Sequence, residues 1–240
     1  MTTLARITIG LLLALLTASC GLDINIGAGK RGNGVVTDDR REITDEFTVV
    51  SASEGLDVFV TQAEEFEILV EADENIIDLI GTDIRDGRLR IHAIENIGHA
   101  TKKVFVSLPV ITGLESSSGA DLSTASLIRA DRISLEASSG SHQQVELMAD
   151  EVEADTSSGA DIRITGEAND FYADASSGSG IRAQDFEVKT CNADASSGAG
   201  IDLNVSESLT AEASSGANIS YKGDPSLQQR KSVSGSVHKL

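Results

Sequence analysis

Aromatic residues make up 3% of this chain and tryptophan is absent. That shortage counts against a sugar-binding platform of the kind that stacks rings on sugar faces. Basic residues are scarce as well: 19 Lys and Arg stand against 38 Asp and Glu, for a formal net charge of −19. So acidic a surface disfavours nucleic acid and anionic membrane as ligands. The histidines, His92, His99, His142 and His238, are scattered, and none sits at a metal-ligand spacing from another His or a Cys. No Gly-x-Ser-x-Gly elbow occurs in the chain. The second half also lacks the 3.6-residue apolar period of a helix.

What the chain has instead is repetition. A Ser-Ser-Gly signature recurs with its glycines at Gly119, Gly140, Gly159, Gly178, Gly198 and Gly216, and a degenerate copy follows at Val233-Ser234-Gly235. The gaps between the six full copies are 21, 19, 19, 20 and 18 residues. Self-similarity at this period predicts a solenoid, in which each coil buries its apolar residues only by stacking on its neighbours. Seven residues before each glycine stand Thr112, Ile133, Val152, Phe171, Cys191 and Leu209, and five before stand Leu114, Leu135, Ala154, Ala173, Ala193 and Ala211. The third position past the glycine reads Leu122, Gln143, Ile162, Ile181, Ile201 and Ile219. Apolar residues hold the odd offsets, the period-2 pattern of a half-buried strand. The expected fold is therefore all-β: a parallel β-helix, taken as right-handed, with coils of about 19 residues and a short helix in the N-terminal half. Glycine suits the corner of each coil because it reaches φ > 0 without a Cβ penalty, and the serines beside it could hydrogen-bond along the stack.

Four residues before each glycine stands an acid: Glu115, Glu136, Asp155, Asp174, Asp194 and Glu212. In-register stacking would make these a row of carboxylates about 5 Å apart. Each adjacent pair then repels by roughly 0.8 kcal/mol even in water. The row is either a solvated surface or a collector of cations, whether metal ions or the Lys and Arg side chains of a partner. Ser-Ser-Gly-Ala-Asp at Asp121 and Asp161 resembles calcium-binding nonapeptide repeats, but the equivalent places elsewhere hold His142, Gly180, Gly200 and Asn218. A carbohydrate-active β-helix enzyme would need carboxylates with a nearby cation. The basic residues of the repeats, Arg129, Arg132, Arg163, Arg182, Lys189 and Lys222, read as sharing no column.

Met1 to Ser19 reads as a secretory signal, with Arg6 as its only charge and an apolar run from Ile7 to Leu16. Leu16-Thr17-Ala18-Ser19-Cys20 resembles a bacterial lipobox, which implies lipidation at Cys20, and Gly21 after it favours the outer membrane. Residues 20–44 lack a sustained apolar pattern and read as a flexible tether. Cys191 would then have no disulfide partner and is expected as a buried thiol. Residues 45–110 read as a β-strand section, with strands at Phe47–Val50, Leu56–Thr61, Phe66–Glu71, Arg88–His92 and Lys103–Leu108. Asp73 is expected to cap a helix from Glu74 to Ile80 that covers the end of the solenoid, and Asp86-Gly87 marks a hairpin-like turn. Residues 111–240 form the repeat section, whose C-terminal edge offers a route to self-association.

Ser53-Glu54-Gly55-Leu56-Asp57-Val58-Phe59-Val60, Val70-Glu71-Ala72-Asp73-Glu74-Asn75, Asp86-Gly87-Arg88-Leu89, the repeated Ser-Ser-Gly-Ala and Ser234-Gly235-Ser236 resemble the putative auto-transporter adhesin, head GIN-domain family. The resemblance implies a β-helical, adhesin-like fold on exported bacterial lipoproteins, with no catalytic residue and no cofactor. The expectation is a non-enzymatic outer-membrane lipoprotein, on the periplasmic or cell-surface side, with a protein or glycan partner. A carbohydrate-active enzyme or glycan-binding module is the alternative.

Overall fold

The computed structural model describes residues 29–229 and 234–240. The signal sequence and Cys20 lie outside the described residues, as does the start of the tether. Among the described residues the chain is all β, with one 3₁₀ turn at Ile77–Leu79.

The Ser-Ser-Gly region forms stacked coils. Strands β10 (Ile128–Ala137), β11 (His142–Thr156), β12 (Asp161–Ala175), β13 (Gly180–Ala195) and β14 (Gly200–Ala213) pair in parallel, each with the next. Strands β11 to β14 pass through a bend, so that each contributes to two facing walls. One wall continues from the second half of β14 into β16 (Ser226–Gln229), the other from its first half into β15 (Asn218–Lys222) and β17 (Ser236–Lys239). The register places Ile133, Val152, Phe171, Cys191 and Leu209 in one column and Leu135, Ala154, Ala173, Ala193 and Ala211 in another, all buried. These are the columns expected from the sequence. The first copy departs from them, because Thr112 faces solvent and bonds Thr48 Oγ1 at 2.8 Å while Ile111 takes the interior.

Each corner is a tight turn with two left-handed residues. The serine before the glycine has φ between +50° and +55° in the six full copies, and the glycine between +70° and +79°. In the third copy Ala160 N donates to Ser157 O at 3.1 Å across the turn, and Gly159 N donates to Ser177 O of the next coil at 3.2 Å. The ladder at the corner is thus made by backbone groups, where the sequence suggested stacked hydroxyls.

The N-terminal rungs are not wound in chain order. Strand β2 (Val49–Ala52) lies between β6 (Arg88–Ala93) and β8 (Gly113–Ser116), and β3 (Asp57–Gln62) lies between β7 (Lys102–Leu108) and β9 (Asp121–Thr124). After its first coil the chain therefore moves outward by two rungs, returns by one, and passes over that coil to begin the repeats. Because β8 and β9 stack directly on β2 and β3, the sections on either side of residue 110 form one continuous stack. The first coil is itself a degenerate repeat, with Glu54 (φ 62°) and Gly55 (φ 68°) at its corner.

Beyond β7 and β6 lies the rung of β4 (Glu67–Asp73) and β5 (Ile80–Arg85), antiparallel to them and joined by the 3₁₀ turn. Ile76, Ile77 and Ile80 are buried there and close the end of the stack. The helix expected over Glu74–Ile80 is thus replaced by a single turn, because Ile80 is drawn into β5. Asp73 caps nothing: its buried carboxylate accepts from Gly34 N at 2.5 Å and Thr101 N at 2.7 Å. Those bonds fix the segment expected as a tether, and Val36–Arg40 form β1, antiparallel to β4. Asp86-Gly87 does form the tight β5–β6 hairpin, with φ of 51° and 73°.

Ala193 is 1% exposed, so Ala193→Leu has no space to enter and should cost about 1–3 kcal/mol. A Cβ on Gly159 would meet nothing within 4 Å, which leaves backbone strain alone at φ +72°. Gly159→Ala should then cost about 1–2 kcal/mol, while Ser158→Gly, which relieves the same kind of strain, should cost nothing. Urea unfolding of the three variants checks both statements.

Candidate functional site

The acids expected in a row are in a row. The register aligns Glu115 with Glu136, then Asp155, Asp174, Asp194 and Glu212 in turn, one per rung on one wall. The first serines of the signatures, Ser117, Ser138, Ser157 and Ser176, run beside its first four members, Glu115, Glu136, Asp155 and Asp174, and together these shape a shallow groove of about 330 Å³. At the N-terminal end Arg88 forms an ion pair with Glu115. Partial burial, then the neighbouring Asp174, Glu153 and Glu136, pushes the Asp155 carboxyl up to about 6. Burial and Asp194 also raise Asp174, and burial raises Glu115 against the lowering effect of Arg88. Among the described residues no three His, Cys, Asp or Glu side chains converge where a metal ion would sit. The row stands as a line of single charges.

A second and larger groove, of about 910 Å³, lies on the outside of the bend and was not foreseen. The bend is tight: a Cβ on Gly166 would sit 2.0 Å from Leu147 O, and this glycine has φ +113°. Ala130, Ala149, Ala168 and Val188 align in register along the groove, flanked by the column Arg129, Met148, Glu167 and Glu187. On the other flank Asn169 Nδ2 donates to Asp150 Oδ1 at 2.8 Å, and Lys189 Nζ donates to Asn169 Oδ1 at 2.7 Å. Gln62 closes the N-terminal end, its Oε1 accepting from Arg129 N at 2.7 Å and its Nε2 donating to Arg129 O at 3.0 Å. The reading that the basic residues share no column is corrected here. Arg163 and Arg182 are direct neighbours across β12 and β13, while Arg129, Arg132 and Lys189 line this groove from separate columns. The signal for the pair was present in the sequence, since both arginines lie four residues past a repeat glycine. Membership of the groove was not, because Gly166 marks the bend in its own coil while Leu147 and Phe186 stand at the equivalent place in the coils beside it.

A family model for the putative auto-transporter adhesin, head GIN domain, matches residues 46–225. The chain belongs to this family. Crystal structures of putative adhesins from Parabacteroides merdae and Bacteroides fragilis are similar to it, at 20% and 17% identity with TM-scores of 0.71 and 0.77. Each alignment covers 88% of this chain, and 99% and 100% of the respective relative. A protein from Parabacteroides distasonis described as a putative lipid binding protein is similar at 17% identity and a TM-score of 0.72, covering 88% of this chain and 99% of that one. At these identities the likeness is one of fold. No curated protein matches the chain.

Both grooves lie within the GIN domain, as does the remaining candidate chemistry. Cys191 is buried in its apolar column, and burial pushes its thiol up, away from a reactive thiolate. His92 Nε2 lies 2.8 Å from Asp83 Oδ2, and His142 Nδ1 lies 3.9 Å from Asp161 Oδ2. Asp161 Oδ1 also pairs with Arg182 Nη2 at 3.0 Å, so His142, Asp161 and Arg182 lie together on successive rungs.

The acid row makes stability depend on pH. Asp155 holds its proton up to about pH 6 in the fold, against an ordinary 3.8. The folded state binds more protons than the unfolded chain between those values, so stability falls as pH rises through that window. Lowering pH from 7.5 to 5 should raise the melting temperature. Solvent screening of an exposed carboxylate limits the effect to about 1 kcal/mol, and Asp155→Asn should remove most of it. A melting temperature that falls over the same range would contradict the assignment.

Proposed function

We propose that this protein is an exported, adhesin-like lipoprotein of the cell envelope that binds a partner without transforming it. Family membership supports the adhesin-like part. The observation that carries the non-enzymatic part is the in-register repetition of one acid over successive rungs. Catalysis needs neighbouring groups with different tasks, whereas a carboxylate repeated rung after rung offers a partner the same kind of contact several times. The row Glu115, Glu136, Asp155, Asp174, Asp194 and Glu212 is then a contact surface for cationic groups of a partner. Cys20 carries the lipid that holds the domain at the outer membrane.

Palmitate labelling of cells should mark the wild-type protein and not Cys20→Ala, which should leave the membrane fraction. An unlabelled, membrane-free wild type overturns the lipoprotein part. Incubating purified protein with a polysaccharide panel should release no new reducing ends. Reproducible turnover abolished by one carboxylate substitution overturns the non-enzymatic part.

A further inference from the structure

The bend groove carries charges of both signs, and that restricts what can lie in it. Its carboxylates are Asp131, Asp150, Glu167, Glu187 and Glu207, and its cations are Arg129, Arg132 and Lys189. A polyanion would meet the carboxylates, and a basic peptide would meet two cations that no acid neutralises. Arg129 places Nη1 3.1 Å from Met148 Sδ, and Lys189 spends its ammonium on the Asn169 amide oxygen. Neither has a carboxylate within ion-pair distance among the described residues. A ligand built of hydroxyls has no such conflict. Each hydroxyl donates to a carboxylate or amide oxygen and accepts from a guanidinium, ammonium or amide N–H, and this groove sets both kinds of group side by side.

The shape agrees with the chemistry. Successive rungs are about 4.8 Å apart, and the groove runs across β10 to β14, so it offers one set of side chains per rung along the solenoid axis. Along its floor the partly exposed Ala130 and Ala149 offer methyl groups against which the C–H faces of a polymer can pack, while Ala168 and Val188 continue the file as buried side chains. Asn169 is held from both sides, by Asp150 and Lys189, and is therefore oriented before a ligand arrives. We propose that the bend groove binds a neutral glycan chain lying along the solenoid axis, with Asn169, Lys189 and Arg129 as its hydrogen-bonding contacts. This rests on the adhesin-like reading and adds to it the surface and the class of ligand. The paucity of aromatic residues is accommodated, because the methyl groups of Ala130 and Ala149 on adjacent rungs take the place of one stacked ring.

The test uses the full chain purified in detergent and labelled hexasaccharides of glucose, mannose, galactose and xylose, with polygalacturonate and poly-lysine as charged controls. At least one neutral hexasaccharide should bind, more tightly than its disaccharide. Asn169→Ala and Lys189→Ala should each weaken that binding about tenfold, with melting temperatures unchanged because both side chains face solvent. Asp174→Asn, on the acid row, should leave it unaltered. The inference is overturned if no neutral hexasaccharide binds, if neither groove variant weakens binding, or if Asp174→Asn weakens it equally. It is also overturned if a charged control is the ligand whose binding the groove variants abolish. Failure of the adhesin-like reading is separate, since it would appear as turnover or as a wild type free of the membrane.

Discussion

Parallel backbone pairing that regains its register at every Ser-Gly corner, after shifts between β12 and β13 and between β13 and β14, is the constraint from which the rest of this molecule follows. A single coil is too thin to bury anything, and Ala173 or Cys191 becomes core only when the rung above and the rung below are in place. Pairing can hold its register for many rungs only if every coil turns at the same point. The Ser-Gly corner ensures this by placing two consecutive residues at positive φ, and it does so at a cost, since a serine in that region is strained. The strain recurs in every copy and is offset by the ladder, in which each corner glycine donates to the serine carbonyl of the next coil.

Register that depends on near-identical coils is exposed to slippage, and the interior contains features that resist it. Ser116 and Ser141 share a buried hydrogen bond of 2.8 Å between successive coils, and Thr156 and Ser179 share one of 2.9 Å. The columns they occupy are otherwise mostly alanine, so shifting the stack by one coil would leave hydroxyls facing methyl groups, each an unsatisfied polar atom. Gln143 adds a third marker, its buried Nε2 donating to Glu136 O at 2.6 Å and Leu114 O at 3.2 Å. Its Oε1 has no partner among the described residues, which makes this site less well satisfied than the two hydroxyl pairs.

The parts of the fold visible in the sequence are those governed by period. The inward columns and the acid row needed only an alignment on glycine, because a parallel stack converts equal offsets into direct neighbours. The parts that were hidden depend on contacts with no period. The interleaving of β2 and β3 between later rungs is set by which apolar surfaces meet, and no local pattern in Val49–Gln62 marks it. Asp73 looked like a helix cap because a short acid before a polar stretch is the usual signal, yet its partners Gly34 and Thr101 are distant in sequence. The bend groove was missed for the same reason: Asn169 and Lys189 occupy a corner that no glycine or proline announces in every copy.

The two grooves differ in what they can tell a partner. Along the acid row every rung presents a carboxylate, so the row is nearly unchanged when a partner slides by one rung, and its field fixes charge and approach but not position. Along the bend the flanking column changes from Arg129 to Met148 to Glu167, and the opposite flank from Asp150 to Asn169 to Lys189. A ligand bonded to Asn169 and Lys189 there meets Asp150 and Asn169 when displaced by one rung, so its hydrogen bonds change. Position along the axis is therefore specified at the bend and not on the row, although the same in-register stacking builds both.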